Sequence, residues 1–317
     1  MRAMLYAFDG TWNDDSRSER WTNVYKLATC LPRDQARYYA GVGSWGDCNA
    51  LERLIGGAFA FGLSDIVRAG IRDWLRDRDA GVDTIDILGF SRGCIAAIDF
   101  ANKIREWERD HRVPKSKRMR LRFAGLLDAV DAIGMPEVDW DPFYYKHLPT
   151  GDAGFTDAVH AVALHETRRV FQVVDVYGVA ETVGFIGNHC DIGGGYLHHG
   201  LSDIVLTWLY RRATDAGVTW NRTLDHLDPK PDEQLKPHRV TLFNYAHGPR
   251  TWPAGMVFHA GYRLWKKVDL AAGRIPYFPL LKKVVVGKGG ALGSKQPVAR
   301  EVEYTWEFIA RSGFTVD

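Results

Sequence analysis

The sequence predicts an α/β fold with a mostly parallel central sheet and helices on both faces. Three observations carry that expectation. Short apolar and β-branched runs recur between residues 5 and 186, and segments of helical periodicity lie between them. The runs stop at small or polar residues, which is how buried parallel strands end.

Leu5–Phe8 reads as a buried strand closed by Asp9-Gly10-Thr11. A helix is expected from Leu63-Ser64-Asp65 onward. Ile66, Val67, Ile71, Trp74 and Leu75 keep helical spacing, and Arg68, Arg72, Asp73 and Arg76 fill the other side. Thr84–Leu88 is a strand, and Ile95–Trp107 is a helix with small residues in its first turns. Arg122–Leu127, Val170–Val176 and Val183–Ile186 are further strands, and Leu201–Arg212 is a helix. Asp228–Pro237, rich in Pro and charge, reads as a loop. No repeat or linker divides the chain. The expected organisation is one domain over 1–317, with a less regular elaboration over 213–317.

Composition narrows the function classes. Hydrophobic residues make up 46% and charged residues 25%, which excludes a mostly disordered or collagen-like chain. Lys and Arg number 41 against 39 Asp and Glu, so bulk charge gives no case for a nucleic-acid partner. The four cysteines, Cys30, Cys48, Cys94 and Cys190, form no CxxC pair and read as buried free thiols. No signal peptide or run of about 20 apolar residues is evident, so synthesis in the cytoplasm is expected. Export without a cleaved signal stays open.

The sharpest motif is Gly89-Phe90-Ser91-Arg92-Gly93, a G-x-S-x-G between a strand and a helix. This is the nucleophile elbow of an α/β-hydrolase-like fold. A tight turn projects the serine Oγ, and the flanking glycines let neighbouring backbones approach. The Arg92 N–H would face a developing oxyanion. Such a serine needs a base and an orienting acid, in the chain order Ser, Asp, His. Asp128 ends the strand after the elbow, and His189 precedes Cys190-Asp191-Ile192 and three glycines. Asp131 and Asp175 are alternative acids.

Asp9-Gly10-Thr11 partly matches the phosphatase signature D-x-D-G-T. The nucleophile position of that signature holds Ala7, which removes its chemistry. The loop is better read as a second oxyanion donor, from Gly10 or Thr11. Asp9, Gly89, Gly93 and Asp191 are expected to support the site. A rival set, His189, Asp191, His198 and His199 with Asp9, has ligand types that suit a divalent metal. It lacks a helical ligand face, so no metal and no cofactor is expected. Gly287–Lys295 follows the strand-like Lys283–Val286 but fails the phosphate-loop spacing.

Taken together, these motifs resemble the catalytic domain of bacterial type VI secretion phospholipase effectors, an α/β-hydrolase family. Phe8–Asn13, Thr22-Asn23-Val24 and Gly41-Val42-Gly43 match its opening in order. Gly89–Gly93 resembles its G-F-S-R-G elbow, and Leu126–Val130 its W-D-T-V segment. Ala161–Phe171 is similar to its A-L-D-E-R-R segment, and Gly187–Tyr196 to its G-x-H-S-D-I-G-G-G-Y block, which Leu201–Ile204 continues. The resemblance implies a Ser91–Asp128–His189 esterase acting on a small-molecule or lipid ester, with a phospholipid acyl ester as the family's substrate type. It also implies an immunity or secretion partner if the chain is an effector. The chain departs from the pattern at Leu127, Ala129, Asp131 and His165, where the family usually has Trp, Thr, Gly and Asp. A non-catalytic hydrolase-fold module is the remaining rival. Arg274–Lys288 mixes aromatic, leucine and lysine residues; a strand pair with solvated lysines is favoured over peripheral membrane contact.

Overall fold

The computed structural model describes residues 2–10, 21–41, 58–130, 147–166, 171–224, 227, 257–258 and 300–301. Within them, eight strands form one parallel sheet in the order β2-β1-β3-β4-β5-β6-β7-β8. The strands are β1 (Ala3–Phe8), β2 (Ala36–Tyr39), β3 (Thr84–Phe90), β4 (Arg120–Leu127), β5 (Asp157–Ala163), β6 (Glu181–Phe185), β7 (Val257–Phe258) and β8 (Arg300–Glu301). The helices are α1 (Asn23–Thr29), α2 (Ala58–Asp79), α3 (Arg92–Asp110), α4 (His189–Gly193) and α5 (Gly200–Asp215).

Handedness accounts for the faces taken by α1, α2 and α3. The chain steps from β1 outward to β2, then returns past β1 to β3 and continues to β4. Right-handed crossovers running in opposite directions lie on opposite faces. One core joins Leu5, Ala7, Leu88 and Phe90 to α1, and on the same face to α5, through Val24, Leu27, Val205 and Leu209. The other joins Met4, Tyr6, Phe8, Ile85 and Ile87 to α2 and α3, through Trp74, Ile98 and Phe100. Alternate residues of β1 thus serve opposite faces, the pleat's period of two. The reversal between β1 and β3 leaves a crevice at their carboxyl ends, where ligands of open α/β sheets bind.

Several expectations need correction. The α2 helix begins at Ala58, one turn or more before Leu63. Val170–Val176 is no strand over the part the structure describes; Val173 makes one isolated bridge to Val130. The strand between β4 and β6 is β5, which lies earlier in the chain. Its backbone bonds already occupy both neighbours, so the valine-rich run has no ladder to join. His189–Gly193, expected to be non-helical, forms the short helix α4. Helix α1 and strand β2 were not anticipated. The loops and strand expected over 228–237 and 283–295, the 274–288 segment, and most of the 213–317 elaboration lie outside the described residues.

Candidate active site

Ser91 sits between β3 and α3 with φ 56 and ψ −125, a backbone conformation that non-glycine residues rarely take. Such strain costs roughly 1–3 kcal/mol and persists only where the surroundings enforce it. The enforcement is visible. The Ser91 N–H donates to the Leu127 carbonyl at 2.9 Å, and the Cys94 N–H donates to the Ser91 carbonyl at 3.1 Å. A Cβ on Gly89 would lie 2.6 Å from the Cys94 Cα, and one on Gly93 would lie 2.2 Å from the Phe8 carbonyl oxygen. Both positions therefore admit only glycine if the elbow is to close against β1. The Ser91 hydroxyl does not cap the helix it begins. Arg92 opens α3, so its N–H lies at the positive end of a 19-residue helix. Burial pushes the Arg92 guanidinium down to about 10.

Asp128 and His189 come together across three strands. Asp128 ends β4, is fully buried and has φ 44. Its N–H donates to the Ala161 carbonyl at 2.7 Å, and its Oδ1 accepts the Ala163 N–H at 2.8 Å. Its Oδ2 lies 2.6 Å from His189 Nδ1. A carboxylate only accepts, so that nitrogen carries a proton, and in the neutral ring Nε2 keeps its lone pair. His189 follows β6 and opens α4 on a capping box formed by Asn188 and Asp191. Its ring lies 4.7 Å from that of Phe90, the residue before Ser91, and 4.9 Å edge-on from Phe171. The His189 N–H donates to Glu166 Oε2 at 3.3 Å.

Asp9 ends β1 beside the elbow. Its carboxylate accepts from the Gly10 N–H at 2.6 Å, the Thr22 hydroxyl at 2.5 Å and the Tyr38 hydroxyl at 2.7 Å. Thr22 also caps α1 through the Tyr25 N–H. Asp9 is therefore a brace tying β1, β2 and α1 together next to Ser91. The Gly10 N–H, expected as an oxyanion donor, is held by Asp9, and Thr11 lies outside the described residues. Asp191 accepts the Asn188 N–H at 2.8 Å, so it shapes the turn carrying His189.

The alternative assignments fare differently. Asp175 is exposed on a loop, and Asp131 lies outside the described residues. His198 is exposed, and His199 Nδ1 lies 2.6 Å from Asp203. Among the described residues no three His, Cys, Asp or Glu side chains are grouped to hold a metal ion. Sequence reasoning missed His160 and Tyr38, met Thr22 and Glu166 only as parts of motifs with no role assigned, and saw His165 only as a departure from a motif. All five contact the site through backbone or carboxylate atoms, which leave no spacing signature.

A parallel sheet covered on both faces, with a serine on a strained strand-to-helix elbow at its carboxyl edge, defines an α/β-hydrolase-like fold. A model of the family described as "T6SS, Phospholipase effector Tle1-like, catalytic domain" matches residues 2–107 and 96–212, and the chain belongs to that family. An uncharacterized protein from Pseudomonas aeruginosa, solved by crystallography, is similar with a TM-score of 0.50 and 21% identity. The match covers 69% of this chain and 46% of that one. A Tle1 effector, solved bound to the VgrG spike of the type 6 secretion system, matches with a TM-score of 0.41 and 20% identity, over 61% of this chain and 51% of that one. The chain spans about half the length of these solved structures. No curated protein matches it.

Proposed function

We propose that this chain is a serine ester hydrolase that cleaves a phospholipid acyl ester. Membership of a phospholipase-effector family supports the substrate class. The observation that carries the mechanism is the 2.6 Å His189–Asp128 contact, with the His189 ring packed 4.7 Å from that of Phe90, the residue that precedes the strained Ser91.

Ser91 Oγ attacks the ester carbonyl carbon while His189 Nε2 accepts its proton. Asp128 fixes the tautomer and stabilises the imidazolium without taking the proton. Negative charge gathers on the former carbonyl oxygen, facing the Arg92 N–H and a donor from the loop after β1. For Gly10 to be that donor, its N–H must leave Asp9 or be shared with it; Thr11 is the alternative. The tetrahedral species collapses, its C–O bond breaks, and His189 protonates the departing alkoxide. Water then attacks the acyl-Ser91 ester through the same base and releases a fatty acid, restoring the hydroxyl.

The bound spike belongs to the solved Tle1 effector. Family membership supports a type VI secretion carrier for this chain, and with it an immunity partner and export without a cleaved signal as part of the same reading. The test of the hydrolase reading is mass spectrometry of phosphatidylethanolamine and phosphatidylglycerol vesicles exposed to wild type and Ser91→Ala. Equimolar fatty acid and lysophospholipid from wild type alone support it. Intact lipid after exposure to folded wild type contradicts the substrate assignment.

A further inference from the structure

The acid and the base of the site stand on different strands, β4 and β6, and the strand between them is β5. Residues 160–166 of β5 and its exit reach both. On one side, Ala161 and Ala163 hold the Asp128 backbone and carboxylate, as described. The next N–H, that of Ala129, donates to His160 Nε2 at 3.0 Å. On the other side, the His165 N–H donates to the Gly187 carbonyl at 3.0 Å, and the Gly187 N–H donates back to His165 Nδ1 at 3.0 Å. Gly187 lies two residues before His189, and Glu166 holds the His189 N–H itself.

We propose that His160 and His165 are positioning residues: two buried imidazoles that accept backbone N–H groups and set the distance between Asp128 and His189. This rests on the triad reading above. The two rings do the same work through different atoms. His160 accepts at Nε2, so its proton sits on Nδ1; His165 accepts at Nδ1, so its proton sits on Nε2. Both rings must stay neutral, because a protonated imidazole has no lone pair to offer. Burial holds the His165 imidazole down at about 3, so its acceptor survives across ordinary pH. Asp128 has φ 44, a backbone conformation that a non-glycine residue keeps only where its surroundings hold it. A catalytic pair displaced by about 1 Å can lose about 10²-fold in rate.

The differing acceptor atoms give a test that a merely space-filling role cannot pass. An asparagine oxygen falls where Nδ1 of histidine lies, and a glutamine oxygen reaches where Nε2 lies. His165→Asn and His160→Gln are therefore matched, and His165→Gln and His160→Asn are mismatched. On a chromogenic ester, the matched variants should keep kcat within about threefold of wild type. The mismatched ones should lose about 10- to 100-fold in kcat with KM unchanged. In parallel, the low-field proton NMR resonance of the His189–Asp128 hydrogen bond should persist in matched variants and vanish or move upfield in mismatched ones.

A matched variant that loses kcat or the resonance overturns the proposal, as does a folded mismatched variant that retains both. If a mismatched variant does not fold, the matched pair decides alone. The resonance is independent of turnover. Wild type that shows it while leaving Ser91 inert would refute the hydrolase reading, and the matched and mismatched spectra would still decide the positioning role.

Discussion

At Ser91 the chain accepts a φ of 56 that its sequence does not favour, and two glycines and a carbonyl acceptor hold it there. Removing Oγ alters none of those constraints. Ser91→Ala should therefore keep the melting temperature near that of wild type while lowering kcat by roughly 10⁴–10⁶-fold, as stopped-flow or endpoint ester assays would show. Gly93→Ala should do the reverse. Its Cβ would meet backbone oxygen at 2.2 Å, and main chain cannot swing aside as a flexible side chain does. Loss of the folded state by circular dichroism is the expected outcome. His165 gives a pH dependence with a definite sign. Its ordinary pKa of 6.5 falls to about 3 on folding, so the unfolded chain binds more protons between those values. The stability it contributes is complete above pH 6.5 and is lost as pH falls toward 3, with a slope of up to about 1.4 kcal/mol per pH unit. Urea titrations at several pH values should show that slope reduced in His165→Asn.

At the scale of elements, β3 and β4 are joined by more than their ladder. Asp86 is buried on β3, where desolvation pushes its carboxyl up, and Arg122 of β4 holds it through Nε at 2.9 Å and Nη2 at 2.5 Å. Removing the cation alone strands a buried carboxylate. Arg122→Met should cost about 3–5 kcal/mol in denaturant melts, and adding Asp86→Leu should return most of it. The ladder elements that position the nucleophile were legible in sequence because their signals are local. Leu5–Phe8, Thr84–Leu88 and Arg122–Leu127 are mostly apolar runs with small or polar stops, and G-x-S-x-G marks the turn from the second of them into a helix. β5 was not legible. Its residues, Asp-Ala-Val-His-Ala-Val-Ala, are half small and carry a histidine in the centre, whereas the nearby Val-Val-Asp-Val run looks far more strand-like. Pairing with β4 and β6 decided between them, and pairing is a property of the assembled sheet. The seven-residue α1 and four-residue β2 are too short for periodicity to declare. Motif and chain order pointed to Ser91, Asp128 and His189 as candidates, and the structure puts Asp128 and His189 in contact. The hands that hold them, His160, His165 and Glu166, act on backbone groups distant in sequence and were not legible.

The whole molecule brings chemistry from β1, β3, β4 and β6 to one edge of a sheet, because parallel strands all end on the same side. The reversal between β1 and β3 opens the crevice there, and Asp9 braces its rim. Among the described residues no helix is long and apolar enough to cross a membrane. Phospholipids above their critical micelle concentration present their esters at a lipid–water surface. Activity on phospholipid above its critical micelle concentration should exceed that on the same lipid as monomer, measured by fatty-acid release across the transition. The claim on which all of this turns is that Ser91 is an activated nucleophile. The direct measurement is intact mass after treatment of the native protein with a fluorophosphonate probe, with Ser91→Ala as its partner. The account predicts one adduct on wild type, mapped to Ser91, and none on the variant. Unlabelled folded wild type, or an adduct that survives the substitution, would contradict it.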